Sequence, residues 1–194
     1  MSRGLRIIAG EFGGRVLKLP QEAVLRPTSE RVREAIFSTL QALVPMAGAS
    51  VLDLYAGSGA LGIEALSRGA AYAVFVEANK AAAENLAENL GRLGIGSRAA
   101  VLAVPVARAW PQLTKQAEKH PFDLVFADPP YAEHPGRNLL VELESAAVLG
   151  AESLIVIEGR RGLFDVNGEF GTVEMLKERT YGDTQVSYFR LRNL

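Results

Sequence analysis

Apolar and polar positions alternate in blocks along most of this chain. Short apolar runs at 50–55, 72–77, 99–104, 122–127 and 153–158 read as strands. The stretches near 59–69, 80–93, 107–119 and 136–148 between them carry the three-and-four spacing of amphipathic helices. That alternation predicts βαβ units, hence a parallel sheet covered by helices. Pro111 falls inside the third helix and should weaken or kink it, because proline brings no amide hydrogen to the helix ladder. The habit changes near the end. Residues 172–180 and 185–192 are strand-like and flank the turn sequence Tyr181-Gly182-Asp183-Thr184, so the sheet should finish in an antiparallel pair.

At the front, two β-prone runs, 5–9 and 15–19, flank Gly10-Glu11-Phe12-Gly13-Gly14 and predict a hairpin with a glycine-rich loop. After Pro27, Thr28 is placed to cap a helix whose apolar positions Val32, Ala35, Ile36, Leu40 and Leu43 line one face. On that reading Arg31 and Arg33 lie off the packed face. The expected organisation is a short basic hairpin extension over residues 1–27 and one α/β domain over 28–194, with a mostly parallel seven-stranded sheet.

Composition sharpens this only in places. With 194 residues, 48% of them hydrophobic, the chain can bury one substantial core. It has no cysteine and two histidines, His120 and His134, which excludes a disulfide framework and a thiolate metal site, so no metal is expected. No stretch approaches the ~18 apolar residues of a membrane helix, and the first residues lack an apolar signal core, so the expected setting is the cytoplasm, away from membranes. The net charge of −1 is unevenly spread. Residues 1–34 hold seven Lys/Arg against four Asp/Glu, and residues 35–157 hold eight against twelve. A localised basic front can meet phosphates whatever the total charge.

Two carboxyl-terminal strand ends carry the cofactor chemistry. In Val51-Leu52-Asp53-Leu54-Tyr55-Ala56-Gly57-Ser58-Gly59-Ala60-Leu61-Gly62 a strand runs into a glycine turn and then a helix. Gly57 and Gly59 admit a ligand close to the main chain, and Gly62 lets the helix pack on the sheet. The spacing alone also fits a dinucleotide. Asp53 favours an ammonium-bearing ligand, such as the methionine part of S-adenosylmethionine, where a pyrophosphate would be repelled. Glu77, at the end of the next strand, is placed to accept hydrogen bonds from both hydroxyls of a ribose, which either cofactor carries. The candidate cofactor residues are Asp53, Tyr55, Gly57, Ser58, Gly59 and Glu77.

The deciding string is Asp128-Pro129-Pro130-Tyr131, at the carboxyl end of the fourth strand of the βαβ region. Ligands of open α/β sheets bind beyond such ends. An exocyclic amine on a nucleic-acid base is a poor nucleophile, since its lone pair is delocalised into the ring. Asp128 and the Pro129 carbonyl can accept its two N–H groups, turn the lone pair toward a sulfonium methyl and stabilise the positive charge that develops. The prolines hold those acceptors rigid. Tyr131 offers a ring face to a base rotated out of its stack. Asp128, Pro129 and Tyr131 are therefore the candidate catalytic residues.

With these motifs the chain resembles the RsmD-type bacterial 16S rRNA guanine-N2 methyltransferases. The resemblance extends over Arg6-Ile7-Ile8-Ala9-Gly10, Gly14-Arg15, Leu25-Arg26-Pro27-Thr28 and Arg31-Val32-Arg33-Glu34-Ala35-Ile36-Phe37, over 53–65 and 128–131, and over Tyr181-Gly182-Asp183-Thr184. It implies a Rossmann-like class I methyltransferase fold and S-adenosylmethionine as cofactor. It also implies transfer to the N2 amine of one guanine in small-subunit 16S rRNA, on an assembled or partly assembled 30S particle; the chain itself is expected to be a monomer. Under that resemblance Arg6, Arg15, Arg26, Arg31 and Arg33, with Arg3 and Lys18, would meet RNA phosphates. One stretch departs from the family: Ala103-Val104-Pro105-Val106 is apolar where many relatives carry a polar residue for the adenine. The alternative target is an adenine or cytosine amine of DNA or another RNA. Against DNA, there is no large insertion that could read a major groove.

Overall fold

The computed structural model describes residues 4–19, 29–129, 136–164 and 171–192. Strands β1 (Gly4–Arg6) and β2 (Val16–Lys18) pair antiparallel as a hairpin. Helix α1 (Glu30–Leu40) follows, and the βαβ region runs β3 (Ser50–Leu54), α2 (Ala60–Ser67), β4 (Tyr72–Val76), α3 (Lys80–Leu93), β5 (Ala99–Leu102), α4 (Val106–Ala117), β6 (Phe122–Ala127), α5 (Gly136–Ser145) and β7 (Leu149–Arg160). Strands β8 (Val173–Tyr181) and β9 (Thr184–Leu191) close the chain. The seven-stranded sheet has the order β5-β4-β3-β6-β7-β9-β8, parallel as far as β7, with β9 antiparallel to both its neighbours. Gly182, with φ +63, sits in the tight turn that joins β8 to β9. Among the described residues no helix is long and apolar enough to cross a membrane.

The chain lays β3, β4 and β5 outward in one direction, then returns to place β6 on the other side of β3. The crevice between β3 and β6 is therefore the topological switch point, where the connections diverge and leave room for a ligand. The strand period of two sorts the interior into two layers. Val51, Phe75, Leu124, Phe126, Val156 and Tyr188 face α1, α2, α3 and the hairpin. Leu52, Val74, Val125, Ile155 and Phe189 face α4 and α5.

Several sequence expectations change here. The hairpin is built into the first layer, because Leu5, Ile7, Phe12 and Leu17 are all buried in it. Its backbone is tied down as well. Glu64 accepts from the amides of Ile8 (2.8 Å) and Ala9 (3.1 Å), Ser67 Oγ accepts from Phe12 N (3.0 Å), and Asn89 exchanges two bonds with the backbone of Lys18. Helix α1 is capped by Ser29, whose side chain accepts from Val32 N at 3.2 Å; Thr28, the expected cap, lies outside the described residues. The helix ends at Leu40, so Leu43, expected on the packed face, is 45% exposed. Helix α4 runs unbroken through Pro111. Burial of Ala109, Leu113 and Ala117, with bonds from Trp110 to Glu142 (3.0 Å) and from Thr114 to the Ala146 carbonyl (2.9 Å), outweighs the one ladder bond that proline removes. Strand β7 is longer than its apolar run, 149–160 against 153–158, because pairing with β6 and β9 extends it at both ends.

Candidate active site

Register places the site before any side chain is considered. Leu54 pairs with Ala127 across β3 and β6, and Ala127 pairs with Ile157 across β6 and β7. The next residue of each strand, Tyr55, Asp128 and Glu158, therefore stands at the same level at the carboxyl edge. Asp53 pairs with Phe75 on one side and Phe126 on the other. Counting by twos from those pairs puts Asp53, Glu77, Asp128 and Glu158 on one face of the sheet, the face that carries α1, α2 and α3. Four carboxylates from four strands thus line one side of the crevice. Three were expected from their motifs. Glu158 was missed, because its strand reads as a plain apolar run and only the β6–β7 register brings it beside Asp128.

The bend between β3 and α2 is held in a conformation that ordinary residues avoid. Tyr55 has φ 57, Gly57 φ 54 and Gly59 φ 74. A Cβ at Gly59 would come within 2.3 Å of Leu86 Cδ1, and one at Gly62 within 2.3 Å of Phe75 Cε1. Gly59 is thus demanded by its left-handed backbone, and Gly62 by its packing on the Phe75 ring. Asp53 Oδ2 accepts from Gly62 N at 2.9 Å, which fixes the first turn of α2 against β3. Glu77 accepts from Gly57 N and from Asn79 N, each at 2.7 Å. The carboxylate on β4 therefore pins the glycine bend of β3, so the two motifs form one frame. Ser58 is buried within it.

Electrostatics mark the crevice as unusual. Burial pushes Asp53 up to about 8, with Glu77 adding to the rise and the Gly62 amide opposing it. Asp128 is raised as well, by burial first, then by the charges of Glu158 and Asp53. No cation among the described residues pairs with Asp53 or Asp128. Like charges crowded in a low-dielectric cleft are the usual mark of a site built for a ligand. Among the described residues no group of acids or histidines is arranged to hold a metal ion.

Other expected site residues fall in different places. Pro129 is buried behind Asp128, while Tyr131 and Arg26 lie outside the described residues. Arg6, Arg15 and Arg31 are exposed. Arg6 Nη1 reaches the Gly14 carbonyl at 3.1 Å, and Arg15 lies over the Phe12 ring at 5.6 Å. Arg33 is a correction: it sits on the buried face of α1 at 1% exposure and its Nη2 donates to the Arg6 carbonyl at 2.7 Å. A guanidinium so enclosed cannot meet a phosphodiester on the surface. The sequence reading placed it outward because it took only apolar residues to mark the packed face.

A family model described as Conserved hypothetical protein 95 matches residues 5–190. The Ribosomal RNA small subunit methyltransferase D of Escherichia coli (strain K12) is 40% identical over 158 residues, which cover 79% of this chain and 74% of that protein. The chain belongs to this family, the RsmD family. The protein of the same name from Haemophilus influenzae is 35% identical over 179 residues, covering 92% of this RsmD-type chain and 89% of its own. Among solved structures, "Putative methyltransferase yhhF from Escherichia coli" superposes with a TM-score of 0.82 at 32% identity, covering 99% of this chain and all of that one. An RNA methyltransferase from Salinibacter ruber in complex with S-adenosyl-L-homocysteine has a TM-score of 0.64 at 13% identity and shares the fold. The Rossmann-like methyltransferase fold expected from the sequence is the one found.

Proposed function

We propose that this RsmD-type chain transfers a methyl group from S-adenosylmethionine to the exocyclic N2 amine of a guanine in 16S rRNA, on an assembled or partly assembled 30S particle. The observation that carries the reading is the placement of Asp128 and Pro129 at the switch point, directly across from the glycine bend of β3. Family membership supports an rRNA substrate, since the relatives named above are small-subunit rRNA methyltransferases.

The residues present fit a cationic nucleoside cofactor. Glu77 keeps a free lone pair on each oxygen for a pair of ribose hydroxyls, while its bond to Gly57 holds the bend that would cradle the amino-acid part. Asp53 and Asp128, whose ionised forms have no cation to pair with among the described residues, suit a ligand with a sulfonium and an ammonium group. When bound, S-adenosylmethionine supplies an electrophilic methyl on a positively charged sulfur. The chain supplies the rest. Asp128 and the Pro129 carbonyl accept the two N–H groups of the amine, so the nitrogen lone pair is aimed and the growing positive charge is met by fixed acceptors. Asp128 also takes the proton that the methylated nitrogen must lose, a role that its raised proton affinity suits. Tyr131, following the rigid prolines, gives the extruded base a ring to stack on. Arg6, Arg15 and Arg31 on the exposed side of the hairpin and α1 meet phosphates and set the approach.

The test is chemical. The purified chain is given labelled S-adenosylmethionine with naked 16S rRNA, with 30S particles and with DNA, and the product is digested and identified by mass. N2-methylguanosine from one position in the particle supports the reading. Methyladenine, methylcytosine or label in DNA overturns it.

A further inference from the structure

The turn sequence Tyr181-Gly182-Asp183-Thr184 has no part in the chemistry above, yet the sheet carries it to the edge where that chemistry takes place. Ala127 of β6 pairs with Ile157 of β7, so Asp128 and Glu158 share the next level; Glu158 pairs with Val186 of β9, and Val186 with Arg179 of β8. Residues directly opposite one another share a face, so Asp128, Glu158, Val186 and Arg179 form one row on the side that carries α1. Three strand spacings put the Arg179 backbone about 14 Å from that of Asp128 along this row. Two residues beyond Arg179, Tyr181 pairs with Thr184 in the next row toward the carboxyl edge, on the same face. Arg179 is exposed, and Tyr181 is partly buried against the first layer.

Charge and bracing set this strip apart from ordinary surface. On β8 Glu174 is held by Arg190 at 2.6 Å, and Glu178 turns to the opposite face, where its Oε2 accepts from Gln185 Nε2 at 2.6 Å. Lys177 and Arg179 stay on the crevice side, and among the described residues no carboxylate pairs with either. The Arg179 guanidinium makes one long contact, 3.5 Å, to the neighbouring Glu178 carbonyl. Gln185, at 2% exposure, also accepts from Gly162 N at 2.6 Å, and Arg161 N donates to the Asp183 carbonyl at 3.1 Å. The chain leaving β7 is thereby tied to the β8–β9 turn. A buried amide bonded at both ends holds one arrangement, so the cation is presented from a fixed support.

We infer that the β8–β9 turn is a second jaw for RNA: Arg179 meets a phosphate flanking the extruded nucleotide, and the Tyr181 ring gives a neighbouring base a surface to rest on. The inference rests on the methyl-transfer reading above. In that reading the cofactor takes the ends of β3 and β4, through Gly57 and Glu77, and in-line transfer puts the acceptor on the other side of Asp128. The RNA strand that carries the acceptor then passes over β7, β9 and β8, where the row leads. A phosphodiester matches a braced cation beside an aromatic ring. A protein partner would be met by apolar surface, and the large exposed apolar residues Val16, Leu43 and Val141 all lie on other elements.

The experiment follows binding of the full chain, dye-labelled at its amino terminus, to naked 16S rRNA and to 30S particles by fluorescence anisotropy. S-adenosylhomocysteine is present, so no methyl group moves and the outcome does not depend on which amine reacts. Arg179→Glu should weaken binding by about tenfold or more and lower the slope of log affinity against log salt by about one, the mark of a lost phosphate contact. Arg179→Lys should keep most of the affinity. Arg108→Glu makes the same charge change on the exposed side of α4, behind the sheet, and should weaken binding by less than about threefold. Tyr181→Phe should bind like the parent, and Tyr181→Leu should lose about threefold or more. The affinity of each variant for S-adenosylmethionine, by calorimetry without RNA, should stay parental, as should its urea midpoint. Equal losses in Arg179→Glu and Arg108→Glu would mark general repulsion and overturn the inference, and so would binding that Arg179→Glu leaves unchanged. A parent chain that binds RNA but methylates no guanine would sink the N2 reading alone, while one that binds neither RNA nor particles would sink both.

Discussion

Glu64 and Asp53 are both almost fully buried, at 1% and 3% exposure, and they lie in consecutive elements of the same layer. Glu64 is surrounded by donors: the amides of Ile8 and Ala9 and the Arg68 guanidinium, at 2.7 Å. Asp53 has one amide, from Gly62, and otherwise faces the carboxylates of Glu77 and Asp128. The hairpin dock is thus a region where a buried carboxylate meets three donors, and the crevice one where, among the described residues, carboxylates are brought together with no paired cation. A fold gains nothing from the second arrangement, and proteins tolerate it where a ligand supplies what is missing.

The largest effect should come from the crevice and should be functional. Asp128→Ala is expected to lower methyl transfer by about 10²–10³-fold or more, while cofactor affinity stays within a few-fold, because it removes an acceptor that matters when charge develops. Single-turnover kinetics and equilibrium binding separate the two. Equal activity in the variant would erase the contrast between the regions.

The next effect belongs to the dock and should be structural. Glu64→Ala strips partners from two backbone amides and from Arg68, whose guanidinium lies over the Phe37 ring at 4.8 Å and is 12% exposed. Breaking such a buried pair should cost about 3 kcal/mol of stability, read by urea unfolding. A loss under about 1 kcal/mol would mean that the hairpin does not depend on this carboxylate, and that donor count is a poor guide here. Glu77→Ala comes third. It should weaken S-adenosylmethionine binding by about 1–3 kcal/mol through lost charged hydrogen bonds and through release of Gly57, measured by calorimetry. An unchanged affinity would take Glu77 out of the pocket.

The comparison also explains what could be read from the sequence. Asp53 lies within a strand whose apolar run is visible and Glu77 and Asp128 directly follow two others, and each belongs to a motif with its own chemistry, so period and spacing sufficed. Glu158 and Arg33 are legible only through contacts between distant segments. One depends on the β6–β7 register, the other on a helix face that buries a cation among apolar residues. The hairpin was visible as two strands, yet nothing in residues 5–19 announces Glu64, Ser67 and Asn89 as their partners. A buried polar residue is silent in the sequence, because its donor or acceptor comes from elsewhere in the chain.

The smallest effect offers the sharpest test of the crowding, since it asks whether Asp53 holds a proton at all. In the folded chain Asp53 keeps a proton up to about pH 8, against 3.8 for an ordinary aspartate. Between those limits the folded state binds more protons than the unfolded one, so the contribution of Asp53 to stability is full below 3.8 and is lost as pH rises through about 8. The amide side chain of the Asp53→Asn variant would stay neutral throughout and could still accept from Gly62 N. Without cofactor, that variant should therefore gain about 1.4 kcal/mol on the parent chain between pH 6 and pH 7, where the folded carboxyl keeps its proton and the unfolded one has lost it. Chemical unfolding at a series of pH values measures that difference directly, and subtracting the two curves cancels the titrating groups that do not interact with Asp53. Saturating S-adenosylmethionine should favour the parent chain instead, because a bound cation answers the ionised carboxylate and the variant's amide offers it no charge. Parallel curves without ligand would show that Asp53 ionises normally despite its burial, and the crevice would then be no more strained than the dock.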